Sequence, residues 1–210
     1  MTPGMMLKVC GVNDPAFAVA AEAAGVDYLG FIFHPKSPRN VTPEQARTIV
    51  RGLSGRARRV GVFVSQTAAE IAAVCRAAGL QVVQLHRRAA EADVAALRAA
   101  GFEVWTLAGG AVGDGLLFDS SHGDGETAFR KGPYKAILAG RIGVDNLAEA
   151  LACAPDILDV NSSLESAPGR KSVGKLRDFL AALRRFGNSI LPDFAVCGII
   201  SAGFGWIAAV

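Results

Sequence analysis

Eight short apolar runs, each followed by a stretch that reads as helix or loop, limit what this 210-residue chain can fold into. They cover residues 7–10, 27–33, 59–64, 81–85, 102–107, 116–119, 135–139 and 157–160. Each is mostly apolar throughout instead of alternating, as strands buried on both faces of a parallel sheet are. Ala-rich helical patterns occupy residues 14–24, 43–53, 67–78, 91–100, 145–152 and 172–185. Thr67 is placed to cap one helix, and Gly25, Gly79 and Gly101 fall where three should stop. Eight βα units in a chain of this size predict a closed (β/α)₈ TIM barrel over residues 7–186. An open doubly wound sheet is the competing layout, but no Gly-x-Gly-x-x-Gly follows the first strand. Residues 107–115 are too few for a helical crossover, so the fifth helix is expected to be short or missing. The strongest internal echo, Val9-Cys10-Gly11 against Leu138-Ala139-Gly140, is the βα period itself.

Composition excludes several classes. The net charge of +3 is small and its cations dispersed, which argues against a nucleic-acid partner. Arg56, Arg58 and Arg59 form the densest basic run and read as a solvated turn. Cys10, Cys75, Cys153 and Cys197 show no CxxC spacing and no cluster with His34, His86 or His122, so neither zinc nor a disulfide framework is expected. No signal peptide is visible at the N-terminus, and the expected compartment is the cytoplasm. Residues 187–210 read as an apolar C-terminal extension, of which the last seventeen carry no charge. Seventeen residues stand at the short limit of a membrane span, and Arg184 and Arg185 flank it as they would a tail anchor. Its glycines and Pro192 suit a helix poorly, so a tail folded on the barrel or at a dimer contact is preferred. A membrane anchor and a shifted reading frame are the other readings.

In such a barrel, chemistry sits at the C-terminal ends of the strands. Those positions hold Cys10, His34, His86, Asp119, Gly140 and Asn161-Ser162-Ser163. A thiol at Cys10 can serve as base or nucleophile, or be a small buried hydrophobe. Asp119 is a candidate acid, or a turn cap. Arg39, in the loop after the second strand, can grip a carboxylate bidentately; composition alone makes it a surface arginine, and Lys36 is similarly placed. Gly140, Ser162 and Ser163 suit a phosphate held by backbone N–H groups, or two tight turns. His86 reads as structural, and His34 and His122 receive no role.

Together these positions resemble the phosphoribosylanthranilate isomerase family. The likeness rests on Lys8-Val9-Cys10-Gly11, Gly30-Phe31-Ile32-Phe33 with Ser37-Pro38-Arg39, Gly61-Val62-Phe63-Val64 and Val83-Gln84-Leu85-His86. It continues through Leu117-Phe118-Asp119-Ser120, Ile137-Leu138-Ala139-Gly140, and residues 159–165 with Pro168-Gly169-Arg170-Lys171. It spans about residues 7–185 in order and spacing. The resemblance implies an Amadori rearrangement of a small-molecule phosphosugar in tryptophan synthesis. Asp119 would be the general acid, Cys10 the general base and Arg39 the anthranilate clamp. The substrate's own iminium would serve as electron sink, so no metal or cofactor is implied.

Departures from the family pattern concentrate near the expected phosphate. Gly123-Asp124-Gly125-Glu126 stands for a Gly-Gly-[Ser/Thr]-Gly loop, Gly140-Arg141 for Gly-Gly, and Ser162-Ser163 for Ser-Gly. His86-Arg87 replaces His-Gly and Lys171-Ser172 replaces Lys-Asp. Lost glycines remove close backbone approach, while Arg141 can either add charge or block the pocket. Two competing functions follow: a related phosphosugar isomerase or epimerase, which would use an aspartate in place of Cys10 or metal-binding histidines, and a phosphosugar-binding barrel with impaired catalysis.

Overall fold

The first and last apolar runs pair with each other, and that pairing closes the sheet into a ring. The computed structural model describes residues 4–120 and 129–187. Its eight parallel strands are β1 (Met6–Val9), β2 (Tyr28–Phe33), β3 (Arg58–Phe63), β4 (Val82–Leu85), β5 (Glu103–Leu107), β6 (Gly115–Asp119), β7 (Lys135–Ala139) and β8 (Ile157–Val160). They hydrogen-bond in sequence order, and β1 meets β8 with Lys8 opposite Asp159. Helices α1 (Pro15–Ala23), α2 (Pro43–Arg51), α3 (Ala68–Ala78) and α4 (Glu91–Ala99) follow the first four strands. Helices α5 (Leu147–Ala152) and α6 (Val173–Gly187) follow β7 and β8. Residues 108–114, between β5 and β6, contain no helix. The chain is thus a (β/α)₈ barrel.

Local chemistry fixes the helix ends. Thr42 and Thr67 each cap a helix, and each donates its own N–H in return to the side chain of Gln45 or Glu70 three residues on. Gly25, Gly79 and Gly101 all stand at positive φ where α1, α3 and α4 give way.

The N-terminal rim carries a device repeated four times. The residue just before each even strand accepts, through its side chain, the N–H of the second residue of the preceding odd strand. Asp27 accepts from Leu7 at 2.8 Å, Gln81 from Arg59 at 3.3 Å, Asp114 from Val104 at 2.8 Å and Asp156 from Ala136 at 2.8 Å. Each of the four also donates its own N–H to that same residue's carbonyl. The rim amides that a strand start would leave open are thereby satisfied.

Within the ring, Tyr28 and Trp105 meet edge to face, centroids 4.9 Å apart, and pack with Val60, Val82, Ile137 and Ile157. They plug the N-terminal end. Arg58 and Arg59 are not a solvated turn: both belong to β3. Arg58 pairs with Glu103 and lies over the Tyr28 ring at 5.8 Å. At the start of a strand with acidic and aromatic neighbours, the arginine stem is covered while its head stays paired.

No helix of the described residues is long and apolar enough to cross a membrane. His122, the loop from Gly123 to Glu126, Cys197 and residues 188–210 of the extension lie outside the described residues.

Glu22 on α1 is 5% exposed, and its carboxylate accepts from the N–H groups of Ser54, Gly55 and Ala57. Burial opposes its charge, but these bonds hold its pKa below the ordinary 4.5. Such a group stabilises the fold above its unfolded pKa, and the contribution is lost as pH falls through the lower folded value. Glu22→Gln keeps one acceptor oxygen and is expected to cost about 1–3 kcal/mol in urea unfolding at neutral pH. The gap should close in acid; a gap constant down to low pH would contradict this account.

Candidate active site

The open end of the barrel holds a cavity of about 380 Å³. Cys10, Arg39, Asp119, Gly140 and Ser162 all line it. Ser163 does not: its hydroxyl donates to the Ile142 carbonyl at 2.5 Å, leaving only its backbone N–H to donate to a phosphate. His34 and His86, given no catalytic part by sequence, also line the cavity, and His86 Nε2 stands 3.9 Å from Asp119 Oδ2.

Cys10 directly follows β1, two residues beyond Lys8, so both side chains point into the barrel. Lys8 is fully buried and its Nζ meets Asp159 Oδ2 at 2.5 Å. Gly30, on the adjacent strand, makes the room. A Cβ there would come within 3.1 Å of Cys10 Sγ and 3.2 Å of Lys8 Cε. Burial opposes the Lys8 charge, but Asp159 and then Cys10 lift its pKa above the ordinary value. Burial pushes the Cys10 thiol up, Lys8 pulls it back and Asp159 raises it again; the net direction is up. The thiolate state therefore depends on the cations facing it.

Arg39 crosses the barrel mouth above Gly11. Gly11 has φ +70, and a Cβ on it would come within 2.6 Å of Arg39 Cδ. Glu165 takes Nε and one terminal nitrogen of Arg39 at 2.7 Å each. That pairing raises the Arg39 pKa further. Only the outer guanidinium edge remains for a ligand carboxylate. Lys171 completes the network, donating to Glu165, to Asn161 Oδ1 and to the Asn161 carbonyl at 2.7–3.0 Å. Burial opposes ionisation of Glu165, but Arg39 and Lys171 hold its pKa below the usual carboxylate range. These residues tie β9 (Glu165–Ala167) and β10 (Arg170–Lys171), a small antiparallel pair, to the loop after β2.

Several departures from the family pattern acquire a physical meaning. Ser172 accepts from the N–H of Lys175 at 3.3 Å and so supplies the cap of α6. Arg87 turns to Asp93 in the first turn of α4, at 2.8 Å. Arg141 occupies a left-handed conformation with φ 50, next to Gly140 at φ 102. The glycine-like backbone persists although the residue is arginine, at a cost of about 1–2 kcal/mol. Arg141 is exposed and lines the cavity.

Sequence reasoning assigned no part to Lys8, Gln84, Asp159 or Glu165. The available signal was a polar residue inside an otherwise apolar run, as in Leu7-Lys8-Val9, Val83-Gln84-Leu85 and Leu158-Asp159-Val160. Among the described residues, no three His, Cys, Asp or Glu side chains are grouped to hold a metal ion.

The family profile for N-(5′phosphoribosyl)anthranilate (PRA) isomerase matches residues 7–182. The N-(5′-phosphoribosyl)anthranilate isomerase of Granulibacter bethesdensis is 34% identical, covering 85% of this chain and 97% of its own. The crystal structure of phosphoribosyl anthranilate isomerase from Thermus thermophilus superposes with a TM-score of 0.76 at 36% identity, over 86% of this chain and 99% of that one. A further phosphoribosyl anthranilate isomerase, 25% identical with a TM-score of 0.74 over 86% of this chain and 99% of its own, is a complex with reduced 1-(o-carboxyphenylamino)-1-deoxyribulose 5-phosphate. With its barrel, its cavity and this likeness along nearly its whole described length, the chain belongs to the N-(5′-phosphoribosyl)anthranilate isomerase family.

Proposed function

We propose that this chain converts N-(5′-phosphoribosyl)anthranilate to 1-(2-carboxyphenylamino)-1-deoxyribulose 5-phosphate, an intramolecular Amadori rearrangement in tryptophan biosynthesis. The observation that carries this reading is that Cys10, directly after β1, and Asp119, at the end of β6, line one cavity with Arg39 at its rim. Asp119 donates a proton to the furanose ring oxygen. The C1′–O bond breaks and the nitrogen lone pair forms a protonated Schiff base. Cys10, as thiolate, removes the C2′ proton, and the electron pair flows into the C1′=N⁺ bond to give an enolamine. Proton transfer from the enol oxygen to C1′ then yields the ketone.

A base and an acid of different character are needed in one site. Asp119 ends β6 and lines the cavity with its side chain 11% exposed. Burial of the Cys10 thiol opposes the thiolate it must become. The cationic Schiff base arriving beside it favours that thiolate, as Lys8 does from below.

The anthranilate carboxylate fits the outer edge of Arg39, already fixed by Glu165. A guanidinium held in place loses less freedom on binding. The phosphate fits the loops after β7 and β8, with backbone N–H groups near Gly140 and Ser162 and added charge from Arg141. The reaction suits a cytoplasmic enzyme.

The test is a fluorescence assay with substrate generated in situ, following loss of the anthranilate signal. Cys10→Ser and Asp119→Asn should each reduce kcat by about a thousandfold or more, with circular dichroism unchanged. Near-normal turnover in either variant would refute its role. No turnover in folded wild-type protein would favour the impaired binding barrel. Arg141→Ala should raise KM about tenfold with little change in kcat; a lowered KM would show that Arg141 obstructs the pocket.

A further inference from the structure

Among the described residues, two buried side-chain oxygens in the cavity wall have no hydrogen-bond partner. Asp159 gives Oδ2 to Lys8 at 2.5 Å, while its Oδ1 is unpartnered although the residue is only 7% exposed. Gln84 is 2% exposed, and its Oε1 is likewise unpartnered. Both residues line the cavity, from β8 and β4, strands on opposite sides of the closed ring. Buried polar atoms in folded proteins are nearly always hydrogen-bonded, and an exception calls for an explanation. Their neighbours Val62, Leu117 and Ala139 present only carbon side chains to the cavity.

We infer that Asp159 and Gln84 are the acceptors for the sugar hydroxyls of the ligand, a role that rests on the isomerase reading. The carboxyl group paired with Lys8 through one oxygen leaves the other open to accept, so that oxygen calls for a donor. The proposed substrate offers few. Its phosphate and carboxylate are anions that Asp159 would repel. Its amine N–H lies beside its own ortho carboxylate and is satisfied there. The ribose hydroxyls remain. Acceptors on opposite walls hold the sugar chain across the cavity axis, between Cys10 at one strand end and Asp119 at another. A hydroxyl donating to a carboxylate makes a charge-assisted bond, so Asp159 is the stronger of the two. Both residues are thus readers of a hydroxylated chain, separate from the grips on the carboxylate and the phosphate.

The test measures binding of two probes to wild type, Gln84→Met and Asp159→Asn. One probe is reduced 1-(o-carboxyphenylamino)-1-deoxyribulose 5-phosphate; the other is its counterpart with the free chain hydroxyls replaced by hydrogen. Wild type should bind the hydroxylated probe about a hundredfold more tightly, and Gln84→Met should lose about tenfold of that preference. Each variant should bind the deoxy probe as wild type does, because the missing interaction is shared between the protein group and the ligand group. Thermal melts establish that the variants are folded. Gln84→Met, which preserves volume and the Lys8–Asp159 pair, stands alone if Asp159→Asn does not fold. Equal weakening of both probes would make the residues structural and overturn the inference, as would unchanged binding of both. Failure of wild type to bind the hydroxylated probe would instead overturn the isomerase reading.

Discussion

A charge pair buried at the seam of the barrel ties its closure to its chemistry. Lys8 and Asp159 are register partners where β1 meets β8, and their side chains meet inside the ring. Burying two charges costs several kcal/mol per ion, and apolar residues of similar size often pack as well or better. The pair is therefore better explained by what it does for the site than by its contribution to stability. Lys8 supplies the positive field beneath Cys10, and Asp159 keeps Lys8 charged. Removing either partner would leave an uncompensated charge in the wall of the cavity, so the thiol environment and the seam stand or fall together.

The two ends of the barrel solve different problems. The N-terminal rim is satisfied four times over by side chains that hook the preceding strand, and it is plugged by Tyr28 and Trp105. The C-terminal end leaves acceptors open, bends Arg141 into a left-handed conformation and spans its mouth with the Arg39–Glu165–Lys171 network. Stability concentrated at one end permits unsatisfied and strained groups at the other. Arg39 gains from this directly, because its orientation is set before any ligand arrives.

Much of the barrel was legible in the sequence, for a physical reason. Strands covered on both faces must be apolar throughout, and the eight runs announced themselves in that way. The gap after residue 107 was legible too, since seven residues from 108 to 114 cannot carry a helical crossover. Cys10 and Asp119 could be singled out as candidates because they stand where strands end, and the fold directs chemistry there. Lys8, Gln84 and Asp159 escaped assignment because a polar residue within an apolar run does not declare what it faces. Arg58 was misread for the same reason, its partner Glu103 lying 45 residues away. Glu165 meets Arg39 across 126 residues of sequence, a separation at which no local pattern carries information.

Proton removal at C2′ by the Cys10 thiolate, the step proposed for the isomerisation, leaves a mark on the fate of the C2′ hydrogen. The most direct measurement is a single-turnover reaction of the wild-type protein with substrate deuterated at C2′, followed by mass analysis of the product. Proton abstraction predicts a slowed chemical step and release of deuterium to water, both absent when Cys10→Ser replaces wild type because turnover is lost. Full retention of the label on C1′ would indicate a direct hydrogen shift from C2′ and contradict the role assigned to Cys10.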